Sequence, residues 1–189
     1  MPKIYFITGN SHKVEEISKI LSKEGVDVEL AAKDLKIPKR EFDSIEEVAI
    51  EKAKSAFAVL KKPLICEDTG VFFDSYRNFP GIYAKRMYIS LGFDGLLKLL
   101  HGKKRTGHFN VAICFIWGKN KFKVFSGELK GKFASKVFEK NADRLPYEKI
   151  FIPRGKKKVL AKISLAEKNE FSHRAVAARK LAKWLNENF

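Results

Sequence analysis

The sequence predicts an α/β fold on a mixed sheet, and three observations carry that reading. An apolar, β-branched run, "KIYFIT", stops at Gly9-Asn10 and gives way to helical spacing of Val14, Ile17, Ile20 and Leu21. A second helical segment opens at "SIEE" and is followed by a short strand, "PLICED". From Arg105 to Val137 the pattern then changes to long strands. Strand–helix units first and antiparallel strands second imply a sheet of both kinds.

Each element has a local cause. Asn10 or Ser11 can cap the first helix, because either side chain accepts from free N–H groups of the first turn. "VDVELAA" reads as a second strand. Ser44 and Glu47 form a capping box that opens a helix running to about residue 61, where Pro63 forbids continuation. "PLICED" is expected to break at Thr69-Gly70. "FPGIYAKRMY" reads as a turn and helix, and "FDGLLKLLHG" as a short helix closed by Gly102. Three strands are expected in "GHFNVAICFIW", "KFKVFSGELKG" and "KFASKVF", the first two joined by a hairpin at Gly118-Lys119-Asn120. A strand near "KIFIP" and a helix from about Ser172 complete the chain.

With 189 residues, 45% hydrophobic and 32% charged, residues 1–189 are expected to form a single domain with a real core. No apolar stretch approaches membrane-spanning length and the N-terminus lacks a signal-peptide pattern, so a cytoplasmic protein is expected. Cys66 and Cys114 sit in apolar, strand-like contexts and read as buried thiols. No Cys-x-x-Cys or Cys/His cluster supports structural zinc. The net charge of +16 predicts attraction to anions, and fits a solvated, lysine-rich surface equally well.

The informative residues are charged ones where apolar ones belong. On a helical wheel Lys52 falls near the middle of a stripe formed by Ile45, Val48, Ala49, Ala56, Val59 and Leu60. Such a lysine snorkels, pairs with a structural anion such as Glu67, or meets a ligand anion. Arg174 lies inside the stripe of Ala177, Ala178, Leu181, Trp184 and Leu185, just after Ser172 and His173. That helix start is either a plain cap or an anion site. Glu67 and Asp68 end a short apolar strand and point to opposite faces. They are turn formers, or hard oxygen ligands of the kind magnesium prefers. The Thr8-Gly9-Asn10 turn with Lys13 joins strand to helix and can hold a phosphate. Together these supply phosphate donors and a carboxylate pair, the inventory for metal-assisted chemistry at phosphorus.

In order along nearly the whole chain, "TGNSHKVEE", "SIEEVAIEKAK", "CEDTGVFFD", "FPGIYAK", "FSGELKGK" and "EKNEFSHR" resemble the inosine triphosphate pyrophosphatase family. The resemblance implies an elongated α/β fold with a central mixed sheet and a cleft between two lobes, usually as a homodimer. It implies Mg²⁺-dependent hydrolysis of ITP, XTP and their deoxy forms to the monophosphate and pyrophosphate. Thr8, Gly9, Asn10 and Lys13 would hold the triphosphate, and Lys52 and Lys85 would neutralise its charge. Asp68 would orient or deprotonate water, or bind metal, with Glu67 beside it. Lys168, Ser172, His173 and Arg174 would reach the base and phosphates.

The sequence departs from the family in three places. The base-pocket stretch reads "RLPYEKIF", where Tyr147 matches, Glu148 replaces Asp, Leu145 replaces an aromatic, and Arg144 and Pro146 replace glycines. The same chemistry with altered base specificity is therefore a second expectation. The metal-binding Glu expected before the capping box has Glu41 as its nearest candidate, and Lys162 stands where the family tends to have an acid. A basic nucleic-acid-binding module, prompted by "HGKKR", "GKNKFK" and "GKKK", is the reading from another class. No recognition helix or RNP-like motif supports it.

Overall fold

The computed structural model describes residues 3–30 and 42–189. Among the described residues it has seven strands and five α-helices. Strand β1 (Ile4–Ile7) lies parallel to β2 (Val28–Leu30) and to β3 (Leu64–Phe73). The sheet continues antiparallel through β5 (Thr106–Gly118), β6 (Lys121–Phe133) and β7 (Phe151–Pro153), and β4 (Pro80–Gly81) pairs with β3. The mixed sheet that the sequence predicts is present. Helices α1 (Ser11–Lys23) and α5 (His173–Asn188) cover one face over Phe6, Ile65, Ile113 and Phe115. Helix α2 (Ile45–Leu60) covers the other over Cys66, Ala112 and Cys114. An aromatic-rich cluster of Phe73, Phe109, Phe133 and Phe151 fills the far end, beside α3 (Ala84–Leu99).

The caps follow the local chemistry. Asn10 caps α1, its Oδ1 accepting from His12 N at 3.1 Å and Lys13 N at 3.4 Å. Ser44 caps α2 by accepting from Glu47 N, whereas the Glu47 carboxylate reaches Asp43 N instead of closing the box on Ser44. Cys66 and Cys114 are free, buried and directly opposite on β3 and β5. Burial raises both thiols to about 12.

Four expectations need correction. Strand β3 does not break at Thr69-Gly70, because β5 pairs with it from Leu64 through Phe73. Gly70 is there for room: a Cβ would lie 2.7 Å from the Phe72 ring. The two expected helices between 82 and 102 form one element kinked at Gly92, whose φ is +61°. "KFASKVF" is not a strand. After Phe133 the chain turns away, with Ala134 N donating to Ile150 O and Phe138 N to Lys149 O. The stripe on α2 is centred on Ala49, Ala53 and Ala56, so Val48, Lys52 and Val59 run down its flank. Val48 is buried, Lys52 half-buried and Val59 69% exposed. Of the second expected strand, Ala31 and Ala32 lie outside the described residues.

One helix was not foreseen: α4 (Leu165–Phe171), capped by Ser164 through Glu167 N. At seven residues it is too short to show a periodic stripe. Its last turn leads through Ser172 directly into α5.

The feature that positions a site is a gap. Strand β1 pairs with β3 only as far as Cys66, and β4 resumes that edge at Val71. Between them, Glu67 to Gly70 form an open edge among the described residues, while β5 pairs continuously on the other side. Ligands in α/β proteins collect at such strand ends.

Helix α5 sits on β6 because Gly127 lets it. A Cβ there would lie 2.2 Å from His173 O and 2.9 Å from Ala177 N, both backbone atoms. Gly127→Ala is expected to destabilise by about 1–3 kcal/mol or more through overpacking, read as a lower urea midpoint. An unchanged midpoint would contradict this seating of α5.

Candidate active site

Alternation along β3 sends Glu67 and Asp68 to opposite faces, where each meets a different helix. Asp68 faces α2 and its Oδ1 accepts from Lys52 Nζ. This is the anion that answers the anomalous lysine, rather than Glu67. Glu67 faces α1 and α5. Its Oε1 lies 3.2 Å from Lys13 Nζ and accepts from the Thr69 hydroxyl, and its Oε2 lies 3.3 Å from Arg174 Nε.

The charge chain continues inward. Arg174 Nη1 reaches Glu16 Oε2 at 3.2 Å, Glu16 Oε1 accepts from Lys168 Nζ at 2.5 Å, and Lys168 also binds Glu148. Arg174 Nη2 donates to Thr69 Oγ1 at 3.3 Å. Three cations, Lys13, Lys168 and Arg174, thus face three carboxylates, Glu16, Glu67 and Glu148, and the chain is neutral. Burial by itself pushes the Glu67 carboxyl up, but Lys13, Arg174 and the Thr69 hydroxyl outweigh it and hold it down at about 2. Glu16 is likewise lowered, Arg174 and Lys168 prevailing over its burial. The positive end of α5 therefore meets an anion, and that anion is the protein's own Glu67.

The sequence-predicted residues divide into an accessible and a sealed set. Thr8, Asn10, Lys13, Lys52 and Asp68 are partly exposed and Gly9 is exposed, the side chains of Lys13 and Asp68 keeping 16% and 14%. In the turn, Thr8 Oγ1 accepts from Asn10 N, and Asn10 takes two N–H groups of the helix start, so the ammonium of Lys13 is the turn's charged donor. Tyr147, Glu148, Lys168, Ser172, His173 and Arg174 are buried. The Tyr147 hydroxyl donates to Ala84 O at 2.9 Å and its ring joins the cluster around Phe73, so it is packing material in this form. Lys85 is exposed at the start of α3 and is not joined to the ion chain. Glu41 lies outside the described residues.

His173 is the unusual member. It stacks on Phe109 at 5.0 Å between ring centroids, and both ring nitrogens are buried without a hydrogen-bond partner. Burial, then Arg174 and Lys168, holds its ring well below the ordinary imidazole range, so it is neutral at pH 7. Orphaned buried polar atoms are costly, and such cost is common where a ligand completes the hydrogen bonds.

Glu16 and its link to Lys168 escaped the sequence reading. Glu16 lies four residues before Ile20, at the edge of the apolar stripe of α1, and the wheel that singled out Lys52 would have shown it. For magnesium, the donor set is small. Both Glu67 oxygens are engaged by cations, and the described residues hold no group of three or more His, Cys, Asp or Glu suited to a metal. The Asp68 carboxylate, at the accessible edge, suits an ion that takes one or two carboxylates and the rest from substrate phosphates.

The Ham1 family model matches residues 4–184. The chain belongs to the Ham1 family. It is 35% identical over 189 residues to a dITP/XTP pyrophosphatase of Thermococcus kodakarensis, covering 98% of each chain. It is 37% identical to the Ignicoccus hospitalis dITP/XTP pyrophosphatase, covering 97% of each, and 35% identical to an inosine triphosphate pyrophosphatase of Yarrowia lipolytica, covering 97% of this chain and 96% of that one. Among solved structures, a HAM1 protein from Coxiella burnetii superposes with a TM-score of 0.82 over 99% of this chain and all of that one; at 23% identity it speaks to the fold alone. A nucleoside-triphosphatase / dITP/XTP pyrophosphatase from Mycobacterium abscessus gives 0.72 at 27% identity, covering 98% of each.

Glu67 stabilises the fold only while ionised. Its folded pKa is depressed, so its contribution is complete above about 4.5 and is lost as pH falls through about 2. Glu67→Gln leaves Lys13 and Arg174 facing a neutral group. It is expected to cost about 3–5 kcal/mol at pH 7 and to flatten the loss of stability between pH 4.5 and 2. Urea titrations at several pH values check both; wild-type stability at pH 7 would contradict the anchoring role.

Proposed function

We propose that this Ham1-family chain is a nucleoside triphosphate pyrophosphatase that hydrolyses non-standard purine nucleoside triphosphates, ITP, dITP and XTP, to the monophosphate and pyrophosphate. One observation carries the reading at the level of the site. At the gap in the sheet two partly exposed lysines, Lys13 on Glu67 and Lys52 on Asp68, flank the adjacent carboxylates of β3 from its two faces, in a chain whose curated relatives are dITP/XTP pyrophosphatases.

The chemistry follows from those groups. The Thr8–Lys13 turn and Lys52 receive the phosphates, Lys13 exchanging its contact with Glu67 for a phosphate oxygen. Asp68 holds a water against the α-phosphorus and takes its proton, while Lys52 keeps the carboxylate oriented and then faces the charge that develops on phosphate oxygens. Glu67 is the anchor of Lys13 and Arg174 rather than a metal ligand. Asp68 and the substrate phosphates would hold magnesium, which would offset negative charge on the phosphate oxygens. His173, neutral and with both nitrogens free, hydrogen-bonds the purine once the sealed half opens. Lys168, paired with Glu148, and Ser172, which caps α5, belong to the same sealed half. The single domain works as two lobes about the gap, in the cytoplasm and as a homodimer. No helix among the described residues is long and apolar enough to cross a membrane, and the exposed apolar side chains of Tyr83, at the N-cap of α3, and of Ile89 and Leu91 on it offer contacts to a second copy.

Product analysis with ITP, XTP and ATP in Mg²⁺ tests the assignment: monophosphate and pyrophosphate from ITP and XTP, with ATP slow, is the expected outcome. Asp68→Asn is expected to lower kcat by about 10²–10⁴-fold with nucleotide binding retained. Parental turnover in that variant would remove Asp68 from the chemistry.

A further inference from the structure

A second cavity lies away from the gap, on the face of the sheet that α2 covers only at its other end, over Cys66, Ala112 and Cys114. Its volume is about 690 Å³, inside the range of about 300–1,000 Å³ found for small-molecule sites. Its floor is three adjacent strands. Register sets Thr106 opposite Lys132 and His108 opposite Lys130 across β5 and β6, and Lys132 opposite Ile152 across β6 and β7. Arg154 N donates to Lys130 O at 2.9 Å, which brings the guanidinium-bearing residue beside that lysine's strand. Lys104 and Lys156 complete the rim.

Five cations line this cavity against two carboxylates, Asp74 and Glu128. Both carboxylates are engaged, Glu128 with Lys130 at 3.3 Å and Asp74 with His108 Nδ1 at 3.4 Å, while Lys156 turns to Glu167 at 2.8 Å. Among the described residues, Lys104, Lys132 and Arg154 have no carboxylate within ion-pair distance. Like charges on neighbouring strands repel, and a concave wall focuses their field. Excess positive charge in a concave site suits a chain of phosphates, whose charges are spaced along it, better than one compact ion.

We propose that this cavity is a second anion site that binds a polyphosphate chain, free or carried by a nucleotide, separate from the hydrolytic gap.

Titration of the full-length chain with tripolyphosphate and with α,β-methylene-ATP, followed by calorimetry and by the amide signals of Gly131 and Gly155, tests this. The comparison protein is Lys132→Gln/Arg154→Gln, neither residue belonging to the gap. The expected result is one more binding event in the wild type than in the variant, at least a tenfold loss of that affinity in the variant, and undiminished ITP hydrolysis. Tighter binding of tripolyphosphate assigns a free chain, and tighter binding of the analogue a nucleotide. Equal stoichiometry and affinity in the two proteins would overturn the proposal. So would movement of the Gly131 and Gly155 signals by a single-stranded oligonucleotide but not by tripolyphosphate, which would make the face a nucleic-acid surface.

Discussion

Glu67 is the anion on which the arrangement turns. It is fully enclosed, yet it is held ionised by a lysine from α1 and an arginine from α5, helices that begin more than 150 residues apart in sequence. A buried carboxylate of this kind is tolerable only with partners in place, since removing it from water costs several kcal/mol. The partners are equally dependent on it. Arg174 is sealed against the sheet, and without Glu67 and Glu16 its charge would face an apolar core. The ion chain therefore fixes where α1, α4 and α5 sit relative to β3, and so fixes where Lys13 points.

The open edge of β3 converts that anchoring into a site. Where β1 stops and β4 has not begun, successive residues of one strand serve two purposes: Glu67 organises cations on one face, and Asp68 stays at the accessible edge on the other with Lys52. The continuous ladder with β5 keeps this stretch rigid although its other edge is free. Rigid donors aimed before substrate arrives are what electrostatic catalysis requires. In the sealed half His173 lacks hydrogen-bond partners and Lys168 is bound between Glu16 and Glu148, and on the proposed reading this half receives the base.

Much of this was legible in the sequence because charge on an apolar helix face is a local signal. Lys52 and Arg174 stood out as charges on apolar helix faces, each with a bland alternative open, snorkelling for the one and a plain helix cap for the other, and the adjacent carboxylates implied two faces. The partner assignments were not legible. Glu67 was the expected partner of Lys52, whereas alternation along β3, which runs on past Gly70, turns Asp68 to α2 and Glu67 to α1 and α5. That continuation was hidden because Thr-Gly reads locally as a turn, whereas the long ladder with β5 overrides it. Glu16 was overlooked at the edge of a stripe whose centre was apolar, and α4 was too short to leave a period. The role of Glu148 looked like base recognition from its motif, but its carboxylate is spent on Lys168.

The proposed chemistry at the gap requires the phosphates to lie on Lys13 and Lys52. A crystal structure with a non-hydrolysable inosine triphosphate analogue should show Lys13 transferred from Glu67 to a phosphate oxygen, Lys52 and Asp68 beside the α-phosphate, and Glu67 still bound by Arg174. An analogue seated elsewhere, with the contact between Lys13 and Glu67 undisturbed, would contradict it.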